Sequence, residues 1–162
     1  MFPSTSNEKR EERLEEIAQD LFVLACASEL EIEEVITFKD ALLDRGIVRD
    51  HDSLLNSFRE DVYGLNALSA ALAIGREIQE LEILIENGCD ITRKSPDGNN
   101  FAHFAVMFGL DEEYLEFAIE HGVSLNVKNN QGLTPLDLAI EMGREDLKTF
   151  LIAHQEKKKK TI

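Results

Sequence analysis

Glycines recur in this chain at a fixed step. Gly64, Gly98 and Gly132 are each 34 residues apart, and the same step joins Gly75 to Gly109 and Gly143, Ala71 to Ala105 and Ala139, and Gly88 to Gly122. A period of this length, with a short apolar run inside each unit, excludes an ordinary single-core fold. One such unit cannot bury its apolar face alone and must stack on its neighbours, so the chain has to form a solenoid of similar units.

The plan of one unit is most legible in the last copy. Thr134 is placed to cap a helix by accepting amide bonds, and Pro135 suits the first turn, where its missing N–H costs nothing. Leu136, Leu138, Ala139 and Ile140 follow as the packing face, and Gly143 closes the helix after barely two turns. A second helix opens with Glu145 and Asp146, acids favoured by the helix dipole, and carries Leu147, Phe150 and Leu151. Upstream, the equivalent helices use Leu81, Leu84 and Ile85, then Leu115, Phe117 and Ile119, and stop at Gly88 and Gly122. Ser95-Pro96-Asp97-Gly98 and Asn129-Asn130-Gln131-Gly132 read as turns; neither has the lysine or glycine density of a phosphate cradle.

Gly-Leu-Thr-Pro-Leu-Asp-Leu-Ala at 132–139, Gly-Arg-Glu-Asp-Leu at 143–147, Glu-Asn-Gly-Cys-Asp-Ile at 86–91 and Glu-His-Gly-Val-Ser-Leu-Asn at 120–126 resemble the ankyrin-repeat family. The resemblance implies an all-α, ankyrin-like helical solenoid of stacked helix pairs, with repeats at about 61–94, 95–128 and 129–156. Where the family pattern has Thr-Pro-Leu, the first repeat has Asn66-Ala67-Leu68 and the second Asn100-Phe101-Ala102. The family further implies a non-catalytic module that binds a partner protein through turn tips and the concave face of the shorter helices. Carried onto this sequence, those positions are Tyr63, Pro96, Asp97, Asn130 and Gln131 at the tips, and Leu65, Asn99 and Leu133 after the turn glycines. Met107 and Glu141 stand next to last in their short helices, followed by Ile74, Phe108 and Met142, which share one slot and should form an apolar ridge.

Residues 1–60 are expected to form an atypical amino-terminal helical cap, a degenerate repeat followed by a connecting loop. Leu14, Ile17, Ala18, Leu21, Phe22, Leu24 and Ala25 make one apolar stripe on a first helix; Ile32 to Leu43 form a second, stopped at Gly46; Ser53 caps a short third helix that carries Leu54, Leu55 and Phe58. Residues 157–162 are expected to be a lysine-rich solvated tail after the last helix.

Charge narrows the partners. With 32 acidic and 17 basic residues the net charge is −15 at pH 7, four of the lysines lying together at 157–160, and such a body repels a phosphate backbone. Nucleic acid is therefore not expected as a partner; a protein with a basic surface fits better. No catalytic arrangement stands out. His51, His103, His121 and His154 have no metal-ligand spacing with each other or with Cys26 and Cys89, and both cysteines fall on apolar segments, so neither enzyme activity, metal nor cofactor is expected. The amino terminus has no apolar segment of a secretory signal and no run is long enough to span a membrane, which points to a cytoplasm. A monomer is expected before binding. Two other readings stay open: a homo-oligomeric structural subunit, and a microbial ankyrin effector acting on proteins of a host cell.

Overall fold

The computed structural model describes residues 5–160, all of whose regular elements are helical. They form two compact units, one from residues up to 74 together with 79–90, the other from 75–78 together with 91 onward.

The first unit is built on α1 (Ser6–Cys26), α2 (Ile32–Asp44), α3 (His51–Asn56), a 3-10 turn at Glu60–Val62, α4 (Ala67–Ala73) and most of α5 (Ile78–Glu86). Thr5 and Glu8 close a reciprocal capping box at the start of α1. The helix packs on α2, α3, α4 and the 3-10 turn. Its core face is Ala18, Phe22, Val23, Ala25 and Cys26. Leu14, Ile17, Leu21 and Leu24, read from the sequence as part of the same stripe, are instead about half exposed. At 3.6 residues per turn the two sets trace separate stripes offset by roughly 100° around the helix, and spacing alone merges them. α3 also departs from expectation. Its cap is Asp50, whose carboxylate accepts from the amides of Asp52 and Ser53; the Ser53 hydroxyl meets Gln19 instead, and Phe58 lies past the helix end.

Several bonds in this unit repeat the sequence period in space. Gln19 Nε2 reaches Ser53 Oγ at 3.0 Å, the Arg49 amide reaches Glu15 at 3.0 Å, and the Asp90 amide donates to Asn56 Oδ1 at 2.7 Å, each across 34 residues. A half-buried ion pair, Arg59 Nε to Asp20 at 2.8 Å, ties the 3-10 segment to α1.

The second unit contains α6 (Phe101–Met107), α7 (Glu112–Glu120), α8 (Pro135–Glu141) and α9 (Glu145–Lys160). α6 pairs with α7 and α8 with α9, and the pairs stack short helix on short helix and long on long. Leu115, Leu125, Leu147 and Leu151 are fully buried. The Tyr114 hydroxyl donates to the Arg76 carbonyl at 2.7 Å, and Arg144 donates to the Leu110 carbonyl at 3.1 Å, again across 34 residues. α9 runs to Lys160, so the lysines expected beyond the last helix belong to its final turns, while Thr161 and Ile162 lie outside the described residues.

The repeats are more regular than their sequences. α4, α6 and α8 are each seven residues long, and Asn66, Asn100 and Thr134 are their caps, accepting from the amides of Ser69, His103 and Asp137. Asparagine replaces the family threonine without loss because its side-chain oxygen satisfies the same orphan amide. Ile140, expected in the packing face, is 52% exposed, whereas Leu138 and Ala139 are buried.

Candidate functional site

In the second unit the two turns are knitted together. Each is closed internally: Gly98 N–H donates to Ser95 O at 2.8 Å, and Asn129 Oδ1 accepts from the amides of Gln131 and Leu133 at 3.0 Å each. Between them, the Asn130 amide donates to Asp97 O, Asn130 Nδ2 to Pro96 O and Asn129 Nδ2 to Asn99 Oδ1, all at 2.9 Å. Gly98, at φ +80°, permits this approach: a Cβ there would stand 2.8 Å from Asn130 Oδ1 and 3.0 Å from its backbone nitrogen.

This pairing frames an open cleft of about 330 Å³ lined by Asp97, Asn99, Met107, Asn129, Asn130, Gln131 and Leu138. Five of these, Asp97, Asn99, Met107, Asn130 and Gln131, are positions expected from the sequence. Pro96, Asp97, Gln131 and Glu141 are exposed, Met107 and Met142 are large apolar groups left partly in solvent, and Leu133 is half-buried. Asn99 is mostly buried; its amide donates to Ser95 Oγ and its side chain holds Asn129, so its contribution is to the shape of the turn. Phe108 is half-buried and stacks on Phe104, with ring centroids 5.9 Å apart. Asn129 and Leu138 are not among the positions expected from the sequence, the first because an Asn-Asn turn signals only local geometry.

In the first unit the tip is wider. Arg59 N–H pairs with Leu65 O at 2.9 Å, enclosing Tyr63 and Gly64, both left-handed. Leu65 is buried, Ile74 is exposed at the end of α4, and Tyr63 is 93% exposed at φ +54°. A bulky side chain in that backbone region costs about 1–2 kcal/mol, and the ring makes no packing that offsets it.

His103 holds the second repeat's turn in place. It is fully buried, its Nδ1 faces the Asn100 amide at 3.1 Å, and its Nε2 meets the Leu133 carbonyl at 2.9 Å. A proton on Nε2 serves the Leu133 carbonyl, while Nδ1 faces the donating Asn100 amide and, at 2.8 Å, the accepting Asn100 Oδ1. Burial, foremost, lowers its pKa from the ordinary 6.5; contacts with the Leu133 and Val127 backbone oppose the shift and the charge of Lys94 adds to it. Below pH 6.5 the unfolded chain therefore binds a proton that the folded chain refuses. The stability that His103 contributes is complete above pH 6.5 and declines as pH falls toward the lowered folded value. Denaturation of the wild type between pH 7 and 5 is expected to show a slope of up to about 1.4 kcal/mol per pH unit from this residue, which His103→Asn removes.

The cysteines are buried and free. Burial chiefly, with Cys26 adding and Lys39 opposing, pushes the Cys89 thiol well above its ordinary range, the opposite of an activated nucleophile. Among the described residues, no three His, Cys, Asp or Glu side chains gather as a metal site, and no helix is long and apolar enough to cross a membrane.

Paired short and long helices at a 34-residue register define a repeat solenoid. The sequence pattern of ankyrin repeats, in three copies, matches residues 68–161, and the chain belongs to the ankyrin-repeat family. No curated protein matches it. Ankyrin repeats generally mediate protein–protein interaction and are typically non-catalytic.

Proposed function

We propose that the chain is a non-catalytic module that captures one partner protein on the turn tips and short helices of its repeats. The carrying observation is the pair of turns at 95–99 and 129–133, cross-linked by three hydrogen bonds around a cleft that mixes Asp97, Asn130 and Gln131 with the apolar Met107. Such a surface is ordered before binding and so loses little entropy on complex formation. Pro96, Leu133, Phe108, Glu141 and Met142 border it, and Tyr63 with Ile74 offers a contact on the first unit; Leu65 and Asn99 shape the turns. The acidic character of the chain favours a partner with a basic contact surface over nucleic acid. Residues 1–60 act as the amino-terminal cap, supported by the packing of α1 on α4 and by bonds at the repeat register.

The tagged chain should capture a partner from an extract of its native cell that the Asp97→Arg/Gln131→Arg variant captures at least tenfold less. Tyr63→Asn relieves backbone strain, so its melting temperature should hold or rise by a few degrees while capture weakens. Equal capture by all three folded proteins removes the proposal.

A further inference from the structure

Asn87 is the only asparagine of the chain that a glycine follows, and both residues are held in place by their surroundings. Gly88 closes α5 at φ +111°, and a Cβ there would stand 2.9 Å from Leu55 Cδ1, so the position has no room for a side chain. Asn87 serves a buried charge. Lys39, on α2, donates to Asn87 Oδ1 at 2.7 Å and pairs with Asp40 at 2.9 Å. Together these two needs create an Asn-Gly pair, the dipeptide most open to deamidation, because no side chain on the second residue hinders its nitrogen from reaching the asparagine Cγ.

The reaction consumes only water. The Gly88 nitrogen gives up its proton and attacks Asn87 Cγ, closing a five-membered succinimide. The Cγ–Nδ2 bond breaks and the side-chain nitrogen leaves as ammonia. Water then opens the ring, at Cγ to give aspartate or at the main-chain carbonyl carbon to give isoaspartate, whose backbone runs through the side chain and is one carbon longer.

The folded turn obstructs the first step. The Gly88 N–H donates to the Ile85 carbonyl at 3.0 Å, so the nucleophile is engaged elsewhere. The Asn87 side chain is pinned at both polar atoms, Nδ2 by the Ile83 carbonyl at 2.8 Å and Oδ1 by Lys39. Asn87 is half-buried and Gly88 exposed, so water for the second step is at hand. Deamidation therefore draws on the fraction of molecules in which this turn has opened. Of the bonds that hold the Asn87 side chain, the one from Lys39 comes from another helix and resists that opening.

We propose that Asn87 is a site of spontaneous deamidation held in check by Lys39, and that isoaspartate formed there releases α3 from the end of α5. Aspartate at 87 keeps an acceptor for Lys39 and makes it a charged one. The longer isoaspartate backbone instead displaces Gly88 and Asp90, whose carbonyl and amide are both bonded to the Asn56 side chain. This site is independent of the turn-tip surface.

Peptide mapping by mass spectrometry, with isoaspartate resolved from aspartate by elution, tests it on the full chain kept at physiological temperature and mildly alkaline pH. Acid at residue 87 should accumulate in urea and form about tenfold more slowly in the folded wild type. Lys39→Met keeps the apolar stem and should raise the folded rate about threefold or more. Folded chain enriched in isoaspartate at 87 should lose hydrogen-exchange protection at 51–56 and 88–90 while α7 keeps its own. Asn87→Asp, which changes the charge without lengthening the backbone, should retain that protection and melt at or above the wild-type temperature. The comparison of folded with unfolded wild type stands whether or not the Lys39 variant folds. No acid at 87 in urea, a folded wild type that reacts as fast as the unfolded chain, a folded Lys39→Met no faster than wild type, or isoaspartate that leaves 51–56 and 88–90 protected would each overturn the proposal.

Discussion

Leu115→Ala is expected to lower stability by about 3–4 kcal/mol and the melting temperature by roughly 10 °C. Leu115 lies at the centre of α7 with no accessible surface, between Tyr114 and Phe117, which are buried as well. Removing it deletes three carbons of apolar contact and leaves a void that a helix pinned by the Tyr114 bond to Arg76 and by neighbouring pairs cannot close. Thermal and urea unfolding of the purified variant measure the loss directly. A change below about 1 kcal/mol would mean that α7 is not packed as described.

Asn56→Ala should cost about 1–2 kcal/mol, although it removes little apolar area. The Asn56 side chain is 4% exposed and works in both directions, accepting from the Asp90 amide at 2.7 Å and donating to the Gly88 carbonyl and to Asp52 at 3.2 Å each. Alanine removes the side-chain partner of the Asp90 amide and of the Gly88 carbonyl, and because Gly88 is exposed and Asp90 half-buried, water offsets part of the loss. The loss should appear in hydrogen exchange as well, with protection falling in α3 and at residues 88–90 before it falls in α7. Asn56→Asp, which keeps the acceptor and loses the donor, should recover part of the difference.

Those two residues mark how far the sequence could be read. Leu115 was visible as core because its spacing with Phe117 and Ile119 repeats that of Leu81, Leu84 and Ile85 at the glycine period. Asn56 was not visible, since a buried asparagine in a polar stretch differs from a solvated one only through partners 32 and 34 residues away. The same divide runs through the candidate site. Asp97 and Gln131 follow from turn position, whereas the bonds from Asn129 and Asn130 that join the turns depend on how closely neighbouring repeats approach, which no local pattern encodes. Leu65 and Asn99 illustrate the converse: both follow a turn glycine, yet the backbone turns their side chains inward. On α1 the difficulty was angular. Positions 14, 17, 21 and 24 and positions 18, 22 and 25 are all apolar and three or four apart, and only the packed structure separates a core face from a solvent face.

The central claim, recognition by the paired turns, is tested most directly by hydrogen exchange of the chain alone and in complex with its captured partner. Binding at this surface predicts new protection at residues 96–99 and 129–133 and at the end of α6, Met107 and Phe108, with α7 and α9 unchanged. Protection confined to the long helices, or to α1, with the two turns exchanging as in the free protein, would contradict it.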